Sequence, residues 1–242
     1  MIQVALCPSE IRRISETDLT ETTAVVFDVL RATSSIVTGL AAGVESFIPV
    51  RTLEEARTLK AKDPSLLLAG ERGGLPPKGF DLGNSPEEFE KAKGRSVVLT
   101  TTNGTAAIES VKSARHVLIG ALINIDALAN YLFTHHPNNL LLVCAGTGDE
   151  FSLEDAIAAG SLVARLSGDE GLSDSAMITR SLSEQVGDDY YEWLRHTQNG
   201  TSLRKIGKDT DVRWCARFSV VDLVGRLKEG KISIATDVKD LA

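Results

Sequence analysis

Asp28 stands directly after the apolar run Ala24-Val25-Val26-Phe27, Arg31 follows three residues later, and Thr33 and Ser34 lie just beyond. A carboxylate at such a strand end can hold a cation, while a guanidinium fork and the free amides of a helix start suit an oxyanion. An aspartate that caps the helix and pairs with the arginine accounts for the same residues in purely structural terms. A second polar loop, Thr100-Thr101-Thr102-Asn103-Gly104-Thr105, offers hydroxyls, backbone N–H groups and a helix start to a phosphate, carboxylate or sulfonate. Threonines are equally at home in strands, and Asn-Gly also marks hairpins, but the following Ala106-Ala107-Ile108 favours a helix. In a third loop Asp149, Glu150, Glu154 and Asp155 crowd within seven residues. Such acids repel one another unless a cation intervenes. Mg²⁺ takes oxygen ligands and keeps several waters, so one or two of these carboxylates together with Asp28 suffice for it. Solvated acids at a helix N-terminus are the alternative.

Two further stretches carry polar residues of interest. In Ala69-Gly70-Glu71-Arg72-Gly73-Gly74 an acid and a base precede two glycines, a bend where backbone can approach a ligand or where a salt bridge faces solvent. Lys78 lies just past Pro76-Pro77. In the segment from Gly79 to Phe89, Ser85, Pro86 and Glu88 read as a capping box opening a helix, which leaves Asp81 and Asn84 without a local structural reason.

The chain has 242 residues, 26 Lys+Arg against 33 Asp+Glu and a net charge of −7. Without a basic cluster, nucleic acid is not the expected partner. An acidic protein that binds an anion must gather positive charge locally, through arginine, helix starts or a metal. No apolar run approaches a membrane span, and the opening Met-Ile-Gln-Val-Ala-Leu carries no basic leader. With three widely spaced cysteines, reduced thiols and a cytoplasmic location are the expectation.

The elements that must position these loops are legible as alternation. Val97-Val98-Leu99 and Leu140 to Cys144 are, like Ala24 to Phe27, continuous apolar runs suited to strands covered on both faces. Each is followed by a polar loop and a stretch of helical character. Phe47 to Val50, Leu66 to Ala69 and Val117 to Gly120 add strands, and Leu53 to Lys62 and Ile125 to Phe133 have helical spacing with Thr52 and Asn124 as N-caps. Further helices are expected over 173–185 and 188–196, and further strands from Val212 to Val224 and Ile232 to Ala235. The prediction is one α/β domain over 1–242, three-layered, with a mixed, largely parallel sheet and helices on both faces. In such folds the strand-to-helix loops gather at the carboxyl ends of the strands, where ligands bind.

Two other chemistries fit less well. Cys7 and Arg13 have the C-x5-R spacing of cysteine-dependent phosphatases, but Pro8-Ser9-Glu10-Ile11-Arg12 has no glycine and places an acid in the loop. Aspartyl-phosphate enzymes need a second Asp two residues after the nucleophile, where this chain has Leu30. His135-His136, before Pro137, reads as a surface turn.

Taken together, Phe27-Asp28-Val29-Leu30-Arg31-Ala32-Thr33, the Ala69 to Gly74 loop, Gly79-Phe80-Asp81-Leu82-Gly83-Asn84-Ser85-Pro86, the Thr100 to Thr105 loop, and Val143-Cys144-Ala145-Gly146 with Leu153-Glu154-Asp155 resemble the 2-phosphosulfolactate phosphatase family. These segments fall in consistent order over residues 1–165, joined later by Gly207 to Asp211 and Cys215-Ala216. The resemblance implies Mg²⁺-dependent hydrolysis of (2R)-O-phospho-3-sulfolactate to sulfolactate and phosphate, as in coenzyme M biosynthesis, by attack of a metal-activated water. Under it, Asp28, Glu71, Glu154 and Asp155 hold Mg²⁺ directly or through water. Arg31 and Arg72 bind phosphoryl and sulfonate oxygens, and Thr33, Gly73, Lys78, Asn84, Thr101, Thr102, Asn103, Gly104 and Thr105 complete the substrate site. Asp81 and Glu154 both remain open as general base. The alternatives are an aspartyl-phosphate route through Asp28 on another small phosphorylated hydroxy acid, and a non-enzymatic binder of small anions. A homodimer is the default assembly.

Overall fold

The computed structural model of the chain describes residues 1–166 and 171–235. Of the single domain expected over 1–242, residues 167–170 and 236–242 lie outside those described. Strands β1 (Ile2–Ala5), β2 (Thr22–Phe27), β3 (Ser46–Pro49), β4 (Leu67–Gly70), β5 (Ser96–Thr100), β6 (His116–Gly120), β7 (Asn139–Cys144), β8 (Gly225–Lys228) and β9 (Lys231–Ile234) form one sheet in the order β1-β7-β2-β6-β8-β9-β3-β5-β4. The first four strands of that order pair in parallel, with Val26 beside Val143 on one side and Ile119 on the other. Strands β3, β5 and β4 form a second parallel group. The β8–β9 hairpin joins the two groups through antiparallel pairings. This is the mixed, mostly parallel sheet that the alternating segments predict.

Three antiparallel steps in succession make the second group run against the first. Each strand of a sheet turns about 20–25° from its neighbour, so the two groups, set apart by the hairpin, are turned relative to one another. Successive side chains of a strand point to opposite faces, and β2 divides accordingly. Val26 shares a core with Ile36, Val37 and Leu40 of α2 (Ala32–Ala41), Ile108 of α4 (Gly104–Ser110), and Phe47 and Leu99 of the second group. Val25 and Phe27 face a separate core built with α5 (Ile125–His135), α6 (Leu153–Leu166), α7 (Asp174–Val186) and α8 (Tyr190–His196). Helix α3 (Leu53–Lys62) covers the outer face of the second group through Ala56, and α1 (Pro8–Ser15) adds Ile11 to the first core.

Three local expectations need correction. The stretch from Val212 to Val224 is not a strand: α9 (Gln198–Lys205) is followed by α10 (Asp209–Cys215), then by irregular chain up to β8. Its apolar residues serve a helix face, as Val212 and Cys215 are both buried. The capping box at Ser85 does not form either. Pro86–Ala92 is a 3-10 helix, Glu88 accepts from the amide of Gly83 at 2.7 Å, and the Ser85 hydroxyl points elsewhere. By contrast Thr52 and Glu55 make the full reciprocal cap on α3, while Asn124 bonds the Ala121 amide instead of capping α5. No helix among the described residues is long and apolar enough to cross a membrane.

Candidate active site

A cleft of about 400 Å³ opens where the loops after β2, β4, β5 and β7 meet. Its lining includes Asp28, Leu30, Arg31, Glu71, Gly73, Gly74, Asn84, Thr101, Thr102 and Asn103. Two-way backbone bonds shape the β2 turn: the Asp28 amide donates to Thr33 Oγ1 at 3.0 Å and the Ala32 amide donates to Asp28 Oδ1 at 3.1 Å. Asp28 therefore serves the helix start and the cleft at once. Gly104 makes room for it, since a Cβ there would lie 2.5 Å from Asp28 Oδ2 and 2.6 Å from Ala32 Cβ.

Arg31 does not pair with Asp28. Its buried guanidinium forms an ion pair with buried Asp211 of α10, donates to Ser85 Oγ at 3.3 Å and donates to the Gly74 carbonyl at 2.8 Å. Across the cleft, Glu71 Oε1 accepts from the Thr102 amide and hydroxyl, both at 2.8 Å, and its Oε2 accepts from the Gly74 amide at 2.9 Å. These bonds tie the β4 loop to the β5 loop.

The four acids of the third loop separate into two kinds. Asp149 pairs with Arg12 on the surface and Glu150 is exposed. Glu154 and Asp155, on the first turn of α6, are buried. Asp155 accepts from the Val29 amide at 2.8 Å and the Gly146 amide at 3.2 Å, one on each oxygen. Glu154 Oε1 accepts from Asn199 Nδ2 at 2.6 Å, and Asn199 lines the cleft.

Several predicted site residues stand outside the cleft lining. Arg72 donates to the Glu71 and Thr100 carbonyls and to Thr100 Oγ1, so its fork is committed to the end of β5. Lys78 is exposed, and its carbonyl accepts from Arg57. Asp81 accepts from the Leu68 amide at 2.8 Å and from Lys60 at 3.3 Å, which holds it in a turn outside the cleft lining. Thr33, Gly104 and Thr105 are buried beneath the cleft, where Thr105 and Thr101 exchange bonds of 3.1 Å. In return α9 supplies Gln198, Asn199, Ser202 and Leu203, with Ile206 just beyond, and the β7 loop supplies Thr147 and Gly148. Nothing in the local pattern around α9 marks it; Asn199-Gly200 reads as a turn, and only the Thr197 cap, accepting from the Gly200 amide at 3.1 Å, makes it helical.

The electrostatics are unusual for a site that must admit an anion. Among the lining residues Arg31 is the single cation, facing Asp28 and Glu71, with Glu154 just behind Asn199. Burial, reinforced by the charges of Glu71 and Glu154, pushes the Asp28 carboxyl up to about 7 against the opposing amides of Ala32 and Gly104. Burial, reinforced by the charges of Asp28 and Glu154, raises Asp155 well above the usual carboxylate range against the opposing amides of Val29 and Gly146. A cleft of net negative lining accepts an anion best with a cation in place. The donors suit a hard, hydrated ion: Asp28 and Glu154 are carboxylates with capacity to spare, whereas Asp155 is held on both oxygens by backbone amides. Among the described residues no three acidic, histidine or cysteine side chains converge tightly enough to cage a metal.

Comparison with known proteins identifies the family. A family model described as 2-phosphosulpholactate phosphatase matches residues 9–230. A probable 2-phosphosulfolactate phosphatase of Thermotoga petrophila is 43% identical over 210 residues, covering 86% of this chain and 90% of that protein. Proteins described in the same words from Carboxydothermus hydrogenoformans and Deinococcus radiodurans are 40% and 41% identical, covering 87% and 86% of this chain and 89% and 88% of theirs. With the matched segments running through all four cleft-forming loops and α9, the chain belongs to the 2-phosphosulfolactate phosphatase family and is a phosphatase.

Proposed function

We propose that this phosphatase hydrolyses (2R)-O-phospho-3-sulfolactate to (2R)-3-sulfolactate and inorganic phosphate with Mg²⁺ as its cofactor. The observation that carries the reading is the placement of Asp28 and Arg31, three residues apart on one turn, on a single cleft with their charges unpaired to each other. Arg31 presents a planar fork to the phosphoryl oxygens, a geometry that lysine cannot copy. Thr101, Thr102 and Asn103 would line the carboxylate or sulfonate end together with Gln198 and Ser202 of α9, the Thr102 amide and hydroxyl being held by Glu71.

Asp28 and Glu154 would hold the ion, with Glu71 close enough to repel Asp28 and therefore to favour it. Bound there, a divalent ion neutralises phosphoryl charge and makes water more acidic. Glu154, oriented by Asn199, takes a proton from the attacking water as its oxygen bonds to phosphorus. The bond from phosphorus to the C2 oxygen breaks, and the proton that Glu154 took passes through solvent to that oxygen, which becomes the sulfolactate hydroxyl and leaves Glu154 ionised again.

Phosphate release measured across a panel of small phosphoesters tests the reading. Turnover of 2-phosphosulfolactate should exceed that of the others, vanish with EDTA and return with Mg²⁺. Radiolabelled phosphate retained on the protein after acid quench would move the chemistry to an acyl phosphate on Asp28. Tight sulfolactate binding without release from any ester would make the protein a binder.

A further inference from the structure

Among the described residues Arg31 is the only cation lining the cleft, yet the carboxylate nearest to it in sequence, Asp28, is not its partner. Its partner comes from 180 residues away. Asp211 lies in the first turn of α10, and its Oδ2 accepts from both Arg31 Nη1 and Ser85 Oγ, the latter at 2.8 Å. Ser85 Oγ in turn accepts from Lys208 Nζ at 3.0 Å. Both members of the pair are 2% exposed at the side chain. Trp214 fastens α10 to the helix that follows Arg31, donating from Nε1 to Thr38 Oγ1 at 2.8 Å. Three of the five guanidinium N–H groups thus go to Asp211, Ser85 and Gly74, leaving two for a ligand in the cleft.

Without Asp211, the guanidinium would be free to pair with Asp28, the carboxylate three residues away that lines the same cleft. The pair would neutralise both groups, removing the cation that binds the anion and the anion that attracts the metal. An isolated buried ion pair contributes little net stability, so stability alone does not explain why one is built here.

We propose that Asp211 is the positioning residue of Arg31: it holds the guanidinium facing the cleft and away from Asp28, a role that rests on the phosphatase reading. Asp211 touches neither substrate nor metal and acts only through the arginine. Its effect must therefore vanish when Arg31 is absent, which a general structural role would not do.

The test is a double-mutant cycle of Arg31→Ala and Asp211→Asn with two readouts. One is kcat and KM for phosphate release from 2-phosphosulfolactate with Mg²⁺; the other is calorimetric binding of inorganic phosphate and, separately, of Mg²⁺. Asp211→Asn should weaken phosphate binding and lower kcat/KM by about 10–100-fold, the span of strong pairwise coupling. Arg31→Ala with Asp211→Asn should lose no more than Arg31→Ala alone, within about threefold. Asp211→Glu, which keeps the charge, should recover part of the loss, and Ser85→Ala should weaken phosphate binding by about 3–5-fold with the ion pair intact.

Losses that multiply in the double variant, or full phosphate affinity in a folded Asp211→Asn, overturn the proposal. Where Asp211→Asn does not fold, Ser85→Ala and Asp211→Glu decide it, unchanged phosphate affinity in both counting against it. A wild type that binds phosphate yet releases none from any ester removes the assigned activity while the binding cycle still judges Asp211.

Discussion

Asn199 donates from one nitrogen to both Glu154 Oε1, at 2.6 Å, and Thr147 Oγ1, at 2.7 Å. A residue of α9 thereby fixes a carboxylate of α6 and the loop leading into it. Replacing Asn199 with alanine frees Glu154 to rotate and leaves it without a donor. Loss of an orienting partner of this kind lowers activity by about 10–100-fold, and kcat should bear it more than KM. Steady-state kinetics of Asn199→Ala check this; an unaltered kcat removes Glu154 from the chemistry or Asn199 from its support.

Asp81 and Arg72, both expected in the site from the sequence, are bonded into the turns around β4 and β5. Asp81→Asn should keep kcat close to wild type and lower stability by about 1 kcal/mol through its weakened bonds to Leu68 and Lys60. A collapse of kcat in a folded Asp81→Asn protein would restore it as general base. Arg31→Ala, assayed beside it, should lose nearly all turnover.

Gly160 lets α6 lie against α7 with no side chain between. A Cβ at this position would stand 1.9 Å from the Thr179 carbonyl oxygen, a contact that only backbone movement can relieve. Gly160→Ala should cost about 2–3 kcal/mol, as overpacking does, and lower the melting temperature by about 5–10 °C. Because α6 carries Glu154 and Asp155, activity should fall with it. Calorimetry showing an unchanged melting temperature would contradict the packing.

His116 at the start of β6 has its pKa lowered to about 4 by partial burial, then by the positive charges of Arg226 and Arg115. The unfolded chain binds this proton near the ordinary 6.5, so the unfolded state holds more protons between the two values. Stability from this group is intact above pH 6.5 and is lost as pH falls towards 4. Partial exposure screens the effect to about 1 kcal/mol. Asp28 and Asp155 shift in the opposite sense, so the measurement is the difference between wild type and His116→Asn in denaturant unfolding across pH 4–7. The difference should shrink in favour of the variant as pH drops; a constant difference would show His116 to be unshifted.

The alternation of apolar runs, polar loops and small-residue helices was enough to read an α/β sheet, because burial on both faces imposes continuous hydrophobicity on a central strand. Asp28, Arg31, Glu71 and Thr101 to Asn103 were legible for a related reason: each follows such a run directly, and the carboxyl end of a strand has nowhere to lead but a ligand-facing loop. That Arg72, Lys78 and Asp81 stand outside the cleft lining was not legible, because residue type says what a side chain can bond and nothing of whether backbone already claims it.

Residue order along the chain thus carries the identity of the family, the strands and the loop chemistry, since each is encoded within a few neighbouring positions. Which acid faces which base is not encoded there. Arg31 meets Asp211 and Glu154 meets Asn199 only once the nine-stranded sheet has assembled and α9 and α10 have packed beside its loops. Those pairings join residues far apart in sequence, and their strength depends on a burial that exists only once the cores on both faces have closed.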